Sequence, residues 1–162
     1  IRFVESYRKL TKLSKPKLQT IELKKFVEHL LTLLSNEEDF DTIKFSVNIQ
    51  PEELNVEADE AQISQVFINL IKNAMHAIKN VTNPQIVISA HRKDNGHTQI
   101  TVQDNGMGIS AEIIEQIFVP FFTTKDNGSG IGLSLSRQVM KNHDGSIEVH
   151  SLPGNTVFTL NL

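Results

Sequence analysis

Five of the eight glycines in this 162-residue chain fall in two short phrases, "DNGMGI" at 104–109 and "DNGSGIG" at 126–132. Glycines clustered in this way mark backbone that turns sharply or lets something approach closely. Successive glycine amides form concave nests for anions, and a helix opening just behind them adds the positive end of its dipole. "GSGIGLSLSRQV" meets both conditions, because Gly128, Gly130 and Gly132 precede or open a helical pattern. The chemistry this points to is phosphate binding. Asp104 ends the alternating strand "ITVQD", where an ionised carboxylate suits an exocyclic amine such as that of adenine; the same Asp-Asn-Gly also suits a plain turn. Asn73 stands mid-helix among apolar neighbours, where an amide is a poor helix former and costly to bury unpaired. Its carbonyl oxygen suits Mg²⁺, a hard cation that shares its oxygen ligands with substrate phosphates. Asn69 lies one turn earlier on the same face, so both amides point the same way, toward a ligand or to cap a neighbouring strand.

Two familiar nucleotide motifs do not account for the glycines. The P-loop pattern is absent. "GMGISA" at 106–111 fits a relaxed dinucleotide fingerprint after a strand, but "PFFTTKDNG" behind it is not a second parallel strand, so the required βαβ unit is missing.

The elements that must hold these groups follow from hydrophobic period. "IRFVESYRKLTKLSK" spaces Phe3, Tyr7, Leu10 and Leu13 as one helical face, and Pro16 ends it. "TIELKKFVEHLLTLLSNEE" predicts a short strand entering a helix with Phe26, Leu30, Leu33 and Leu34 on its apolar face. "IKFSVNI" from Ile43 alternates as a strand up to Pro51. "DEAQISQVFINLIKNAMHAIKNV" predicts a long helix, with Asp59 and Gln62 spaced as a capping box. Two strands follow, "PQIVISAHR" and "TQITVQD", joined by the turn "KDNG" at 93–96. The segment 110–128 predicts one short helical stretch and then a loop rich in Phe, Thr and Gly. A helix from about Gly130 to Asn142 ends at "HDG", and the strands "SIEVHS" and "TVFTLNL" close the chain. This order predicts an α+β fold, a two-layer α/β sandwich whose mixed sheet carries helices on one face.

Composition narrows the partners. A net charge of −3 leaves no basic surplus to neutralise phosphates of a nucleic acid. With no cysteine there is no disulfide framework and no thiolate chemistry. No apolar run reaches membrane-spanning length, so direct membrane contact is not expected of these residues. A chain opening on Ile1 reads as part of a longer protein.

Taken together, "QVFINLIKNAMHAI", "DNGMGI", "IFVPFFTTK" and "GSGIGLSLSRQVMKNHDGSI" resemble the N, G1, F and G2 boxes of sensor histidine kinases, in family order and at family-like separations. The catalytic ATP-binding domain of that family belongs to the GHKL group of ATPases and kinases, and the resemblance covers residues 16–162. It implies ATP and Mg²⁺ as cofactors, and a lid between the two glycine phrases. By matching position, Asp104 would bind the adenine amine, with Gly106, Gly108 and Ile109 beneath the base. Asn73, helped by Asn69, would hold Mg²⁺. Gly128, Gly130 and Gly132 would line the phosphates, Lys125 would reach the terminal one as a point charge, and Thr124, Ile131 and Leu133 would also belong to the nucleotide site. Phe118, Phe121 and Phe122 would anchor the lid, and Thr156 in "GNTVF" would sit near the adenine. Asn73 and Lys125 are the residues to which the resemblance assigns catalysis.

The chain departs from the family pattern at His76, where many members carry Lys or Arg toward phosphate, and at "GNT", which lacks one glycine. None of His29, His76, His91, His97, His143 and His150 lies in a phosphoacceptor motif. Residues 1–15 resemble the end of the helical hairpin that dimerises and carries the acceptor, so the acceptor is expected upstream. The implied function is transfer of the ATP γ-phosphoryl to that histidine and onward to a response regulator, in a cytoplasmic domain whose parent is soluble or membrane-anchored. The GHKL hydrolases carry Glu one turn before the Mg²⁺-binding Asn, where this chain has Asn69, which cannot take a proton from water. Anti-sigma-type serine kinases lack the leading hairpin helix. A degenerate partner-binding module would be expected to have lost Asp104 or Asn73, and both are present.

Overall fold

The computed structural model describes residues 13–125 and 128–162. The helix expected over 1–15 therefore lies outside the described residues except for Leu13 to Lys15, which carry no regular structure. Strand β1 (Gln19–Glu22) runs directly into helix α1 (Leu23–Leu34), and β2 (Lys44–Gln50), β3 (Asn55–Ala58) and helix α2 (Glu60–Ala77) follow. The hairpin β4 (Gln85–Arg92) and β5 (Thr98–Asp104) leads through a long loop to helix α3 (Gly132–Asn142) and the hairpin β6 (Ser146–Leu152) and β7 (Asn155–Asn161).

Five strands form a mixed sheet in the order β2-β4-β5-β7-β6. Among the described residues only β2 and β4 pair in parallel, and α2 lies on the crossover that such a pair requires. β1 and β3 form a separate antiparallel ribbon. Along the central strands burial alternates. Ile86, Ile88 and Ala90 on β4, Ile100 and Val102 on β5, and Phe158 and Leu160 on β7 face the helices. From α2 the stripe Ile63, Val66, Phe67, Leu70, Ile71 and Ala74 meets them, and Phe26 of α1 packs edge-on to Phe67 with ring centroids 5.3 Å apart. The predicted two-layer sandwich with helices on one face is the observed one. Among the described residues no helix is long and apolar enough to cross a membrane.

Two local expectations are corrected, and one strand is added. Residues 111–121 form successive turns, such as Gln116 N to Ile113 O at 2.8 Å and Val119 N to Gln116 O at 2.8 Å, and not a short helix. β3 was not foreseen, because four residues after "PEE" are too few to show alternation. The capping box is only half formed. Asp59 Oδ1 accepts from Gln62 N at 3.0 Å, but the Asp59 N–H donates at 3.0 Å to His143 Nε2 at the end of α3, while Gln62 Nε2 donates to Ser14 O at 3.1 Å. The tertiary contact between α2 and α3 takes the donor that the local motif would have used.

Candidate nucleotide site

Three successive turns of α2 each touch a different segment of the chain. Asn69 Nδ2 donates to Ser136 Oγ on α3 at 3.0 Å, and Ser136 Oγ donates to Gly132 O at 2.9 Å. One turn on, Asn73 Oδ1 accepts from Lys125 Nζ at 2.8 Å. One turn further, Ala77 O accepts from Met107 N at 3.3 Å. About 12 Å of helix thus carries the phosphate-cradle helix, a lysine of the lid segment and the first glycine phrase side by side. The expectation that Asn69 and Asn73 point the same way holds for the helix face but not for their partners. Asn69 is turned onto α3, and Asn73 onto Lys125.

Gly132 lies hard against the Asn69 side chain: a Cβ there would stand 2.1 Å from Asn69 Oδ1, so a larger residue would displace that amide. Gly130 is constrained twice, by a φ of +66° and by the Phe121 carbonyl carbon 2.4 Å from where a Cβ would go; Phe121 N also donates to Gly130 O at 2.8 Å. Gly130→Ala is therefore expected to cost about 2 kcal/mol or more and to weaken ADP binding at least tenfold. Gly154→Ala is the control. Its φ is +81° with nothing within 4 Å, so it should show only the smaller backbone cost in thermal unfolding.

Asp104 sits at the end of β5, 4% exposed, with Oδ1 accepting from Gly106 N at 2.9 Å. Burial raises its pKa to about 6, and the Gly106 hydrogen bond opposes that rise. Thr156, 3% exposed, is its neighbour across the β5–β7 ladder. Thr156 Oγ1 lies 2.8 Å from Ser151 Oγ, and Ser151 Oγ accepts from Ile109 N at 2.8 Å. Ser151 was missed in the sequence. The signal was available: counting outward from the "PG" turn of the last hairpin pairs 152 with 155 and 151 with 156.

The lid anchors divide. Phe118 is buried beneath the Arg137 guanidinium, whose Cζ stands 4.0 Å from the ring centroid, and Phe122 packs against the core. Phe121 is 38% exposed at a φ of +68°. Ile131 is buried, Ile109 and Leu133 pack against the core, and Thr124 is exposed. Gly128 N donates to Lys125 O at 3.1 Å. The second phrase begins at Asp126 and Asn127, which lie outside the described residues.

A cavity of about 590 Å³ opens along the neighbouring stripe of α2. Lys72, His76, Lys79 and Lys125 line one side, and Glu37 and Glu38 the other. Lys72 pairs with Glu37 at 2.7 Å and Lys79 with Glu38 at 3.5 Å. Burial lowers the Lys125 pKa, and burial followed by the charges of Lys125 and Lys79 lowers that of His76. His76, in place of the usual cation, thus lies in a positive environment that favours its neutral form.

Residues 58–162 match the family model described as histidine kinase-, DNA gyrase B-, and HSP90-like ATPase. The sensor histidine kinase ZraS of Salmonella typhimurium is 35% identical over 162 residues, 98% of this chain and 34% of the relative. The signal transduction histidine-protein kinase AtoS of Escherichia coli K12 is 35% identical over 143 residues, 88% of this chain and 23% of the relative. This chain spans about a third or less of the length of such relatives. Among solved structures, the catalytic domain of histidine kinase ThkA superposes with a TM-score of 0.80 at 31% identity, covering 90% of this chain and 95% of that one. A complex of ThkA with the response regulator protein TrrA aligns with a TM-score of 0.82 at 28% identity, over 99% of this chain and 46% of that one.

Proposed function

Because the chain belongs to the histidine kinase-, DNA gyrase B-, and HSP90-like ATPase family, we propose that it presents the γ-phosphoryl of Mg-ATP to a histidine on an upstream helical hairpin. Residues 16–162 form the catalytic unit in this reading, and 1–15 end the hairpin through which the parent dimerises. The observation that carries it is the convergence on α2 of the Gly132 helix start, the Asn73–Lys125 pair and the loop after buried Asp104. Phosphoryl transfer asks mainly for positioning and charge neutralisation, and this set supplies both.

Asp104 accepts the adenine amine. Gly128, Gly130 and Gly132 bring backbone amides to the phosphates at the start of α3. Asn73 fits a Mg²⁺ ion, since its Oδ1 already takes a cationic donor. When bound, the ion would neutralise charge between the phosphates. Asn73 offers one neutral oxygen, so the phosphates and water complete such a shell. Lys125 then moves its ammonium from Asn73 to the terminal phosphate. A hydrolase needs a base one turn before Asn73; Asn69 there is neutral and tied to Ser136. The nitrogen of the acceptor imidazole forms the new bond to phosphorus as ADP leaves, and little base is needed.

The product passes to a response regulator aspartate in the cytoplasm, a partnership that the ThkA–TrrA complex supports. The test is to incubate the chain with γ-labelled ATP, Mg²⁺ and a purified histidine-bearing hairpin of a related kinase. Label on the hairpin that is lost in acid and kept in base is the expected result. Free phosphate without labelled hairpin would favour the hydrolase instead.

A further inference from the structure

The ladder registers place Asp104 opposite Thr156 and Thr156 opposite Ser151, so three polar side chains form a row across β5, β7 and β6. The row lies on the helix-facing surface, beside the buried Phe158 and Val102. Its far end is closed by the Ile109 amide, at the root of the segment leading to the lid. Ile109 N–H is a fixed donor, so Ser151 Oγ receives one hydrogen bond and still carries its own proton. Thr156 Oγ1 lies 2.8 Å away, and either hydroxyl is able to donate to the other. With Ser151 as the donor of the pair, Thr156 has its hydroxyl proton left to give, next to a carboxylate that can only accept when ionised. The row therefore offers an acceptor at Asp104 and a donor at Thr156. That is the complement of adenine, whose amine donates and whose adjacent ring nitrogen accepts. Guanine reverses both, with an oxygen acceptor beside a ring N–H donor.

Resting on the reading of Asp104 as the base-binding carboxylate, we propose that Ser151 is a positioning residue that sets the direction of the Thr156 hydroxyl and thereby the preference of the site for adenine over guanine nucleotides. Without the Ser151 hydroxyl, Thr156 loses the donor that occupies its oxygen and turns freely, so it reads an acceptor or a donor equally well. The Ile109 amide loses its partner in the same step, which ties base reading to the root of the lid.

The test is calorimetric titration of the 162-residue chain with ADP, GDP and IDP, IDP carrying the guanine-like oxygen and ring N–H without the 2-amino group. Ser151→Ala should narrow the ADP-to-IDP and ADP-to-GDP affinity ratios at least tenfold, and Ser151→Thr, which restores the hydroxyl, should recover them. A ratio is read within one protein, so it does not move if the variant is merely less stable. Unchanged ratios in Ser151→Ala, or equal weakening of all three ligands, would overturn the assignment. Asp104→Asn separates the two levels. If it leaves ADP affinity intact, the base site lies elsewhere and the underlying reading fails; if it removes ADP binding while Ser151→Ala keeps the ratios, only the role of Ser151 falls.

Discussion

Asp104→Asn should lower ADP affinity by about a hundredfold or more, because a buried site that matches a donor rejects its mismatch strongly. The parent carboxylate spends Oδ1 on the Gly106 amide, leaving its other oxygen for the base. An asparagine has one acceptor for two donors. If its oxygen keeps Gly106, its NH₂ faces the adenine amine; if it flips, its NH₂ faces the Gly106 N–H. Either way two donors oppose each other inside a 4% exposed position. Calorimetry with ADP checks this, and undiminished affinity would remove Asp104 from the base site. The same variant should gain relative affinity for GDP, whose oxygen suits an amide donor.

The empty protein should respond in the opposite sense. Burial raises the Asp104 pKa from 3.8 to about 6, so the folded state holds its proton more tightly than the unfolded chain. Stability on this account is undiminished below pH 4, falls between pH 4 and 6, and carries the full penalty above 6. A shift of that size corresponds to about 3 kcal/mol. Asp104→Asn should therefore be the more stable protein in urea at pH 8, and the two should converge as the pH falls below 4. A binding residue held at a cost to stability is a common mark of function.

The parts of the site that were legible in the sequence are those encoded locally. Asp104 and Thr156 stand at ends of alternating strands, and Gly130 and Gly132 announce a turn into a helix. What could not be read depends on distant pairings. Asn69 looks like a second ligand amide until α3 brings Ser136, 67 residues away, within 3.0 Å. The Asp59 N–H looks committed to Gln62 until His143, 84 residues on, accepts it. The parallel pairing of β2 with β4 is equally silent, since both strands alternate and nothing in either states its neighbour. The turns at 111–121 read as helix because their apolar residues fall at helical spacing, although their job is to carry Phe118 to the core.

Asn73→Ala should make nucleotide binding indifferent to Mg²⁺. The parent is expected to bind ADP about tenfold or more tightly with Mg²⁺ than in EDTA, about 1.4 kcal/mol of coupling. In the variant the two titrations should coincide, and transfer to a histidine-bearing hairpin should fall about a hundredfold or more. One complication is that Asn73 also holds the Lys125 ammonium at 2.8 Å, so the variant releases a lysine as well as a ligand oxygen. Lys125→Met separates the two losses. It leaves the Asn73 oxygen free of its cationic partner, so the Mg²⁺ response of ADP should persist or grow. Meanwhile the advantage of ATP over ADP, which depends on a charge at the terminal phosphate, should shrink. If Lys125→Met abolished the Mg²⁺ response and Asn73→Ala kept it, the two roles would have to be exchanged. If both kept it, the cation would be held by the phosphates without help from α2.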